Sequence, residues 1–173
     1  MGAFTYPRSE PGSGGHQDLV ERLNSITPRL RDLIDGLPDD ALLHRPAEGE
    51  WSIKEICGHL RDDGQFLHER LHKMINLEEP FLESWDQEEV LRERNPQVAL
   101  IQDTLHEFSQ QRAETVEMLA DLVHWNWART GNHAERGRLS IRQLVEIALE
   151  HEEGHLAQLG EVKELAERAA TST

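Results

Sequence analysis

Apolar residues recur every three or four positions along four separate stretches of this chain, and no run of strand-like alternation interrupts them. Leu19, Leu23, Ile26, Leu30, Leu33 and Leu37 form the first stripe and predict a helix over about 17–36, with Pro28 kinking or breaking it. Ile53, Ile56, Cys57, Leu60, Leu67, Leu71 and Met74 form the second stripe. Val98, Ile101, Leu105, Phe108, Val116, Leu119 and Val123 form the third; Leu144, Ile147, Ala148, His151, His155, Leu159 and Val162 form the fourth. An apolar stripe must be covered, and four of them cover one another in an all-α four-helix bundle. The lengths between them call for long crossover connections.

Local signals mark the ends. Ser52 with Glu55, and Ser140 with Gln143, have the spacing of capping boxes at the heads of the second and fourth helices. Gly36-Leu-Pro38 ends the first helix, and residues 39–50 read as a loop. Residues 78–95 are a charged excursion with aromatic anchors and a short helix near 87–93, after which Asn95-Pro96 predicts the start of the third helix. The loop 124–139 carries two Trp, two Gly and two His at the mouth of the bundle, where binding groups tend to sit. Residues 1–16 are rich in Gly, Pro and Ser and read as a flexible arm, 17–167 as the bundle, and 168–173 as a frayed end.

A formal net charge of −15 disfavours phosphate backbones and anionic lipid surfaces, so nucleic acid and membrane are not expected partners. The single Cys57 forms no internal disulfide and lies within an apolar stripe, where a small core residue is expected rather than a nucleophile. Residues 1–8 lack the apolar core of a secretory signal, and no run approaches a membrane span; a cytoplasmic protein is the expectation.

The fourth stripe contains two imidazoles, His151 and His155, placed so that both can turn a ring nitrogen toward one divalent cation. Glu152 completes the zincin string His-Glu-x-x-His, yet it points to the helix flank, and no strand pattern follows in 156–173 to align a peptide. His59, on the inward face of the second helix, can supply a third nitrogen, and three neutral His ligands leave coordination positions open for water or substrate. Asp63 lies one turn beyond His59 and is either a fourth ligand or an acceptor fixing an imidazole tautomer, while Asp62 points away. Arg112 falls inside the third stripe, as an ion-paired residue or as an anion-binding group facing a cavity. His133 is a candidate for the site rim. Imidazole donors suit zinc, nickel, iron and copper alike. The alternative without metal has the histidines hydrogen-bonded to carboxylates such as Asp63.

Taken in order, Trp51-Ser-Ile-Lys-Glu-Ile-Cys-Gly-His59-Leu, Gly131-Asn-His133, Leu139-Ser-Ile-Arg-Gln-Leu and His151-Glu-Glu-Gly-His155-Leu-Ala-Gln158-Leu resemble the DinB-like superfamily over about 17–165. The resemblance implies a four-helix bundle with a long crossover, pairing as a homodimer, and a divalent metal (Zn, Ni or Fe) on His59, His151 and His155. Some members are transferases or isomerases that use a low-molecular-weight thiol, bacillithiol or mycothiol, activated on the metal. For this chain the same chemistry would attack a small electrophilic substrate, with Arg112 holding a carboxylate and Asp63 or His133 moving protons. The alternative is a non-catalytic bundle in which the metal or the dimer interface stabilises a small-ligand-binding module.

Overall fold

The computed structural model describes residues 14–171. In chain order its elements are α1 (Gly14–Ile34), α2 (Asp39–Leu43), α3 (Ile53–Asn76), β1 (Phe81–Leu82), α4 (Gln87–Arg94), α5 (Ile101–Ala120), a 3-10 turn (His124–Ala128), β2 (Thr130–His133), β3 (Gly137–Ser140) and α6 (Ile141–Thr171). The four stripes are α1, α3, α5 and α6. Most of the expected arm, residues 1–13, lies outside the described residues, as do 172 and 173.

Both α1 and α3 pack against α5 and α6. The order around the bundle is therefore α1, α5, α3, α6, and the chain crosses a diagonal between α1 and α3 and again between α5 and α6. Leu23, Ile26 and Leu30 meet Ile56, Leu60, Leu71 and Met74 of α3, Phe108 and Leu119 of α5, and Ile141, Val145 and Leu149 of α6 in one buried core. Helix α1 runs unbroken across Pro28; the proline and Asn24, the residue one turn earlier whose carbonyl it leaves without a helical partner, are both on the exposed side of the helix.

Both expected caps form. The Glu55 amide donates to Ser52 Oγ at 3.3 Å and the Ser52 amide to Glu55 Oε2 at 2.9 Å, with Arg45 clamping the same carboxylate from the preceding connection. At the head of α6 the Ser140 amide donates to Gln143 Oε1 at 2.9 Å and the Gln143 amide to Ser140 Oγ at 3.2 Å. Arg129 satisfies the far end of α3, donating to the Met74 and Leu77 carbonyls at 2.8 Å each.

Several expectations need correction. Residues 39–43, read as part of a loop, form the short helix α2, which buries Ala41 and Leu42; five residues are too few for a helical period to show in the sequence. The connections contain a small sheet in which β1 pairs parallel with β2 and β2 antiparallel with β3, joining the α3–α5 connection to the α5–α6 connection over the end of α3. Strands of two to four residues are too short for alternation to register in a sequence. A Cβ on Gly131 would stand 3.0 Å from Leu82 and 3.1 Å from Met74, so the hairpin packs this closely only because that position is glycine.

Asn95 closes α4 in a left-handed conformation (φ 40°) instead of opening α5, which begins at Ile101 and leaves Val98 77% exposed. Pro96 is instead seated on Gly58 of α3. The buried ridge of α6 runs through Val145, Leu149, Glu152, Leu156 and Leu159, which places His151 and His155 on its flank and Glu152, 1% exposed, in its centre.

A Cβ added at Gly58 would lie 2.7 Å from Pro96, whereas nothing lies within 4 Å of one added at Gly154. Gly58→Ala is expected to destabilise the fold by about 1–3 kcal/mol. Gly154→Ala should stabilise it by up to about 1 kcal/mol through helix propensity. Urea unfolding midpoints check both.

Candidate metal centre

Helix α3 presents His59 and, one turn on, Asp63; helix α6 presents His151 and, one turn on, His155. Because α3 and α6 are neighbours in the bundle, the two pairs face each other. His59 Nε2 lies 2.9 Å from His151 Nε2, and His155 Nε2 lies 3.1 Å from that same atom. Asp63 Oδ2 is 2.6 Å from His151 Nε2 and 3.1 Å from His59 Nε2. Donor atoms of the three histidines all fall within 4.8 Å of one another.

Hydrogen bonding alone cannot account for this arrangement. A neutral ring nitrogen carries one proton or one lone pair, so His151 Nε2 can satisfy one of its three close neighbours. Asp63 Oδ2 and His59 Nδ1 are buried without a well-formed hydrogen bond, the oxygen despite two ring nitrogens within 3.1 Å. Nitrogen donors sharing one cation at about 2.0–2.1 Å stand roughly 3 Å apart, the separation found here. The donor set, three imidazoles and a carboxylate, is that of a divalent transition metal such as zinc.

Surrounding groups prepare the donors. His155 Nδ1 donates to Gln158 Oε1 at 2.8 Å, which leaves the Nε2 lone pair turned to the centre. Burial pulls His155 down to about 4, so its ring is neutral at physiological pH. Burial pushes the Asp63 carboxyl up, but His151 and His59 outweigh it and hold the group well below the usual carboxylate range. Asp63 in turn raises His151. Trp51 lies over His59 at a ring distance of 4.9 Å and stacks on His155 at 6.0 Å, and Trp85 stacks on His59 at 5.9 Å and on Phe66 at 4.3 Å.

A cavity of about 460 Å³ opens beside the centre, with Asp63 and His151 on its wall together with Arg70, Trp85, His133 and Arg136. His133, placed on the rim by its sequence position, is 8% exposed and lines this cavity. Its Nδ1 accepts the Glu135 amide at 3.2 Å, so the proton resides on Nε2. Burial and the nearby Arg70 and Arg136 hold its pKa below the usual histidine value.

Arg112 does not line the cavity. It is 3% exposed and its Nη2 donates to Glu152 Oε1 at 2.5 Å, an ion pair joining α5 to α6 across the diagonal of the bundle. That pairing explains why Glu152 enters the core ridge rather than the helix flank. Burial raises the Glu152 carboxyl even beside Arg112. Asp62, expected to point away, is buried on the other side of α3 against Arg61 and Arg94. Among residues that sequence reasoning passed over, Gln158 stands one turn after His155 and Arg70 two turns after Asp63, spacings that share a helix face. Trp85 sits in the irregular excursion, where no periodicity could have indicated it.

Comparison with known proteins matches residues 22–159 to the DinB superfamily. YuaE from Bacillus subtilis is 28% identical over 149 residues, covering 79% of this chain and 91% of that protein. A protein of Oceanobacillus iheyensis named "Putative metal-dependent hydrolase OB0413" is 25% identical over 82% of this chain and 82% of its own length. Among solved structures, YfiT from Bacillus subtilis, described as "a probable metal-dependent hydrolase with an unusual four-helix bundle topology", superposes with a TM-score of 0.84 at 16% identity, covering 96% of this chain and 94% of that one.

Removing one partner of the diagonal ion pair leaves a buried charge uncompensated, so Arg112→Met should destabilise the protein by about 3–5 kcal/mol. The double variant Arg112→Met, Glu152→Leu should recover most of that loss in urea unfolding. Burial pushes the Cys57 thiol up to about 12. The fold thus keeps the proton more tightly than the unfolded chain, whose thiol titrates near ~8.5. Below that value the thiol is protonated in both states and contributes nothing, and stability declines as pH rises from there toward 12. Iodoacetamide at pH 8 should leave Cys57 unmodified in the native protein and label it fully in urea.

Proposed function

The chain belongs to the DinB superfamily, and on that premise we propose that it is a metal-dependent enzyme in which His59, His151 and His155, with Asp63, hold one divalent cation at the wall of the cavity. The observation that carries this reading is the meeting of three Nε2 atoms and Asp63 Oδ2 in a cluster that hydrogen bonds leave unsatisfied. A bound divalent cation supplies a Lewis acid that makes water or a thiol nucleophilic near neutral pH.

The chain's own residues do the rest. Gln158 fixes the His155 tautomer, Asp63 offsets positive charge at the centre, and Trp51 and Trp85 keep water off His59. His133, protonated on Nε2 and set in the cavity wall, is the group placed to donate a hydrogen bond or a proton to a developing oxyanion or leaving group.

Water is the nucleophile supported by the relatives named metal-dependent hydrolases. A low-molecular-weight thiol of the bacillithiol or mycothiol type is the second reading, supported by a cavity of about 460 Å³ with room for a co-substrate beside a small electrophile. Zinc, nickel and iron all suit the donor set.

Protein loaded with zinc, nickel or iron is assayed for hydrolysis of p-nitrophenyl acetate and for conjugation of 1-chloro-2,4-dinitrobenzene with each thiol. One of the two activities should appear with metal, vanish in His151→Ala, and fall about 10–100-fold in Asp63→Asn. Turnover that is unchanged in His151→Ala would remove the mechanism.

A further inference from the structure

The wall of the cavity carries an uneven account of charge. Its buried or half-buried carboxylates each face a basic group, Asp63 facing His151 and His59 and Glu152 facing Arg112, although Asp63 Oδ2 and Glu152 Oε2 lack well-formed hydrogen bonds. Asp86 is engaged as well, accepting the amides of Glu88 and Glu89 at the head of α4. Glu88 and Glu135 are exposed to solvent.

Arg70 is half-buried and donates one Nη2 bond to the Glu83 carbonyl at 2.5 Å, while its Nε is buried with no hydrogen-bond partner. The Nε is sealed inside the fold, so what an occupant of the cavity can reach is the outer end of the guanidinium. Burial, with the like charge of Arg136 nearby, depresses the Arg70 pKa, although Asp63 and Glu135 oppose that shift. Two guanidinium groups and the neutral, proton-donating His133 therefore share one wall, with Asp63 and His151 on the same cavity.

We infer that this cavity takes a small substrate bearing a carboxylate, gripped by the Arg70 guanidinium with Arg136 adding charge, while the reacting end of the molecule faces His151 and Asp63. This rests on the metal-dependent reading above for what the reacting end meets, but the anion grip itself is independent of it. A planar guanidinium presents parallel N–H groups that match a carboxylate and are poorly replaced by a lysine. Arg70 stands seven residues beyond Asp63, two turns along the same face of α3, and both line the cavity. A substrate anchored at one part of the wall and reacting at another fits a short-chain acyl or amide derivative ending in a carboxylate. Arg112, the arginine that its sequence position suggests for this task, is buried in its ion pair, and Arg70 takes the place.

Calorimetric titration of the zinc-loaded full chain with glutarate, with its neutral diamide glutaramide and with inorganic phosphate tests the assignment. Glutarate is expected to bind once per chain, glutaramide not at all, and phosphate more weakly than glutarate. Arg70→Gln should weaken glutarate at least about tenfold, and Arg70→Lys, which keeps the stem and the charge, should still lose affinity because the fork is gone. Arg136→Gln, on the exposed hairpin, should weaken it severalfold with the fold intact. Equal glutarate binding in the Arg70 variants, equal binding of glutaramide, a preference for phosphate, or no binding would each overturn the proposal. Metal content is measured on every sample and the titration repeated after chelation. Arg70-dependent glutarate binding by protein that never takes up metal would overturn the metal reading and sustain this one; metal uptake without Arg70-dependent binding would do the reverse.

Discussion

Two imidazole nitrogens and a carboxylate oxygen lie within hydrogen-bond distance of His151 Nε2, yet hydrogen bonding cannot satisfy them together. Proton sharing among these groups leaves at least one buried polar atom unpaired, at a cost of about 1–3 kcal/mol for each. A divalent cation would remove that conflict by taking one lone pair from each donor. Much of the surrounding structure can be understood as what is needed to keep these donors in place: Gln158 behind His155, and the indoles of Trp51 and Trp85 against the rings.

The bundle topology serves the same end. Because the chain crosses a diagonal from α1 to α3 and again from α5 to α6, α3 and α6, far apart in sequence, become neighbours over the stretch that carries the histidines. The capping boxes at Ser52 and Ser140 fix where those helices begin, and hence the rotation at which His59 and His151 meet. Across the other diagonal, Arg112 and Glu152 tie α5 to α6 immediately beside His151. A buried ion pair of this kind is a weak source of stability but a strong determinant of register, since any helix rotation strands a charge in the core. The small sheet over the end of α3 then brings His133 into the cavity wall.

Most of the architecture was legible in the sequence, because four stripes at helical spacing and two capping boxes leave few alternatives to a bundle. The short strands were not, since two to four residues are less than one detectable period, and Asn95-Pro96 misled because the left-handed end of one helix resembles the cap of the next. At the site, the spacings of His59 with Asp63 and of His151 with His155 announced pairs on common faces, and the structure brings both pairs together. The apolar stripe alone put the histidines in the centre of the buried face of α6; what rotates them to its flank is the pairing of Glu152 with Arg112, an interaction between residues 40 apart that no local pattern encodes. Arg70 was overlooked for a similar reason: an arginine at the end of an apolar face reads as solvated until a cavity forms beside it.

X-ray absorption at the zinc edge, with metal stoichiometry measured on wild-type protein and on His59→Ala, tests the central claim most directly. One equivalent of zinc surrounded by imidazole nitrogens and lighter oxygen donors, lost when the α3 histidine is removed, is the result expected from a centre shared between α3 and α6. No bound zinc, or zinc retained in an unchanged environment in His59→Ala, would contradict it and leave these histidines as hydrogen-bonding partners of Asp63.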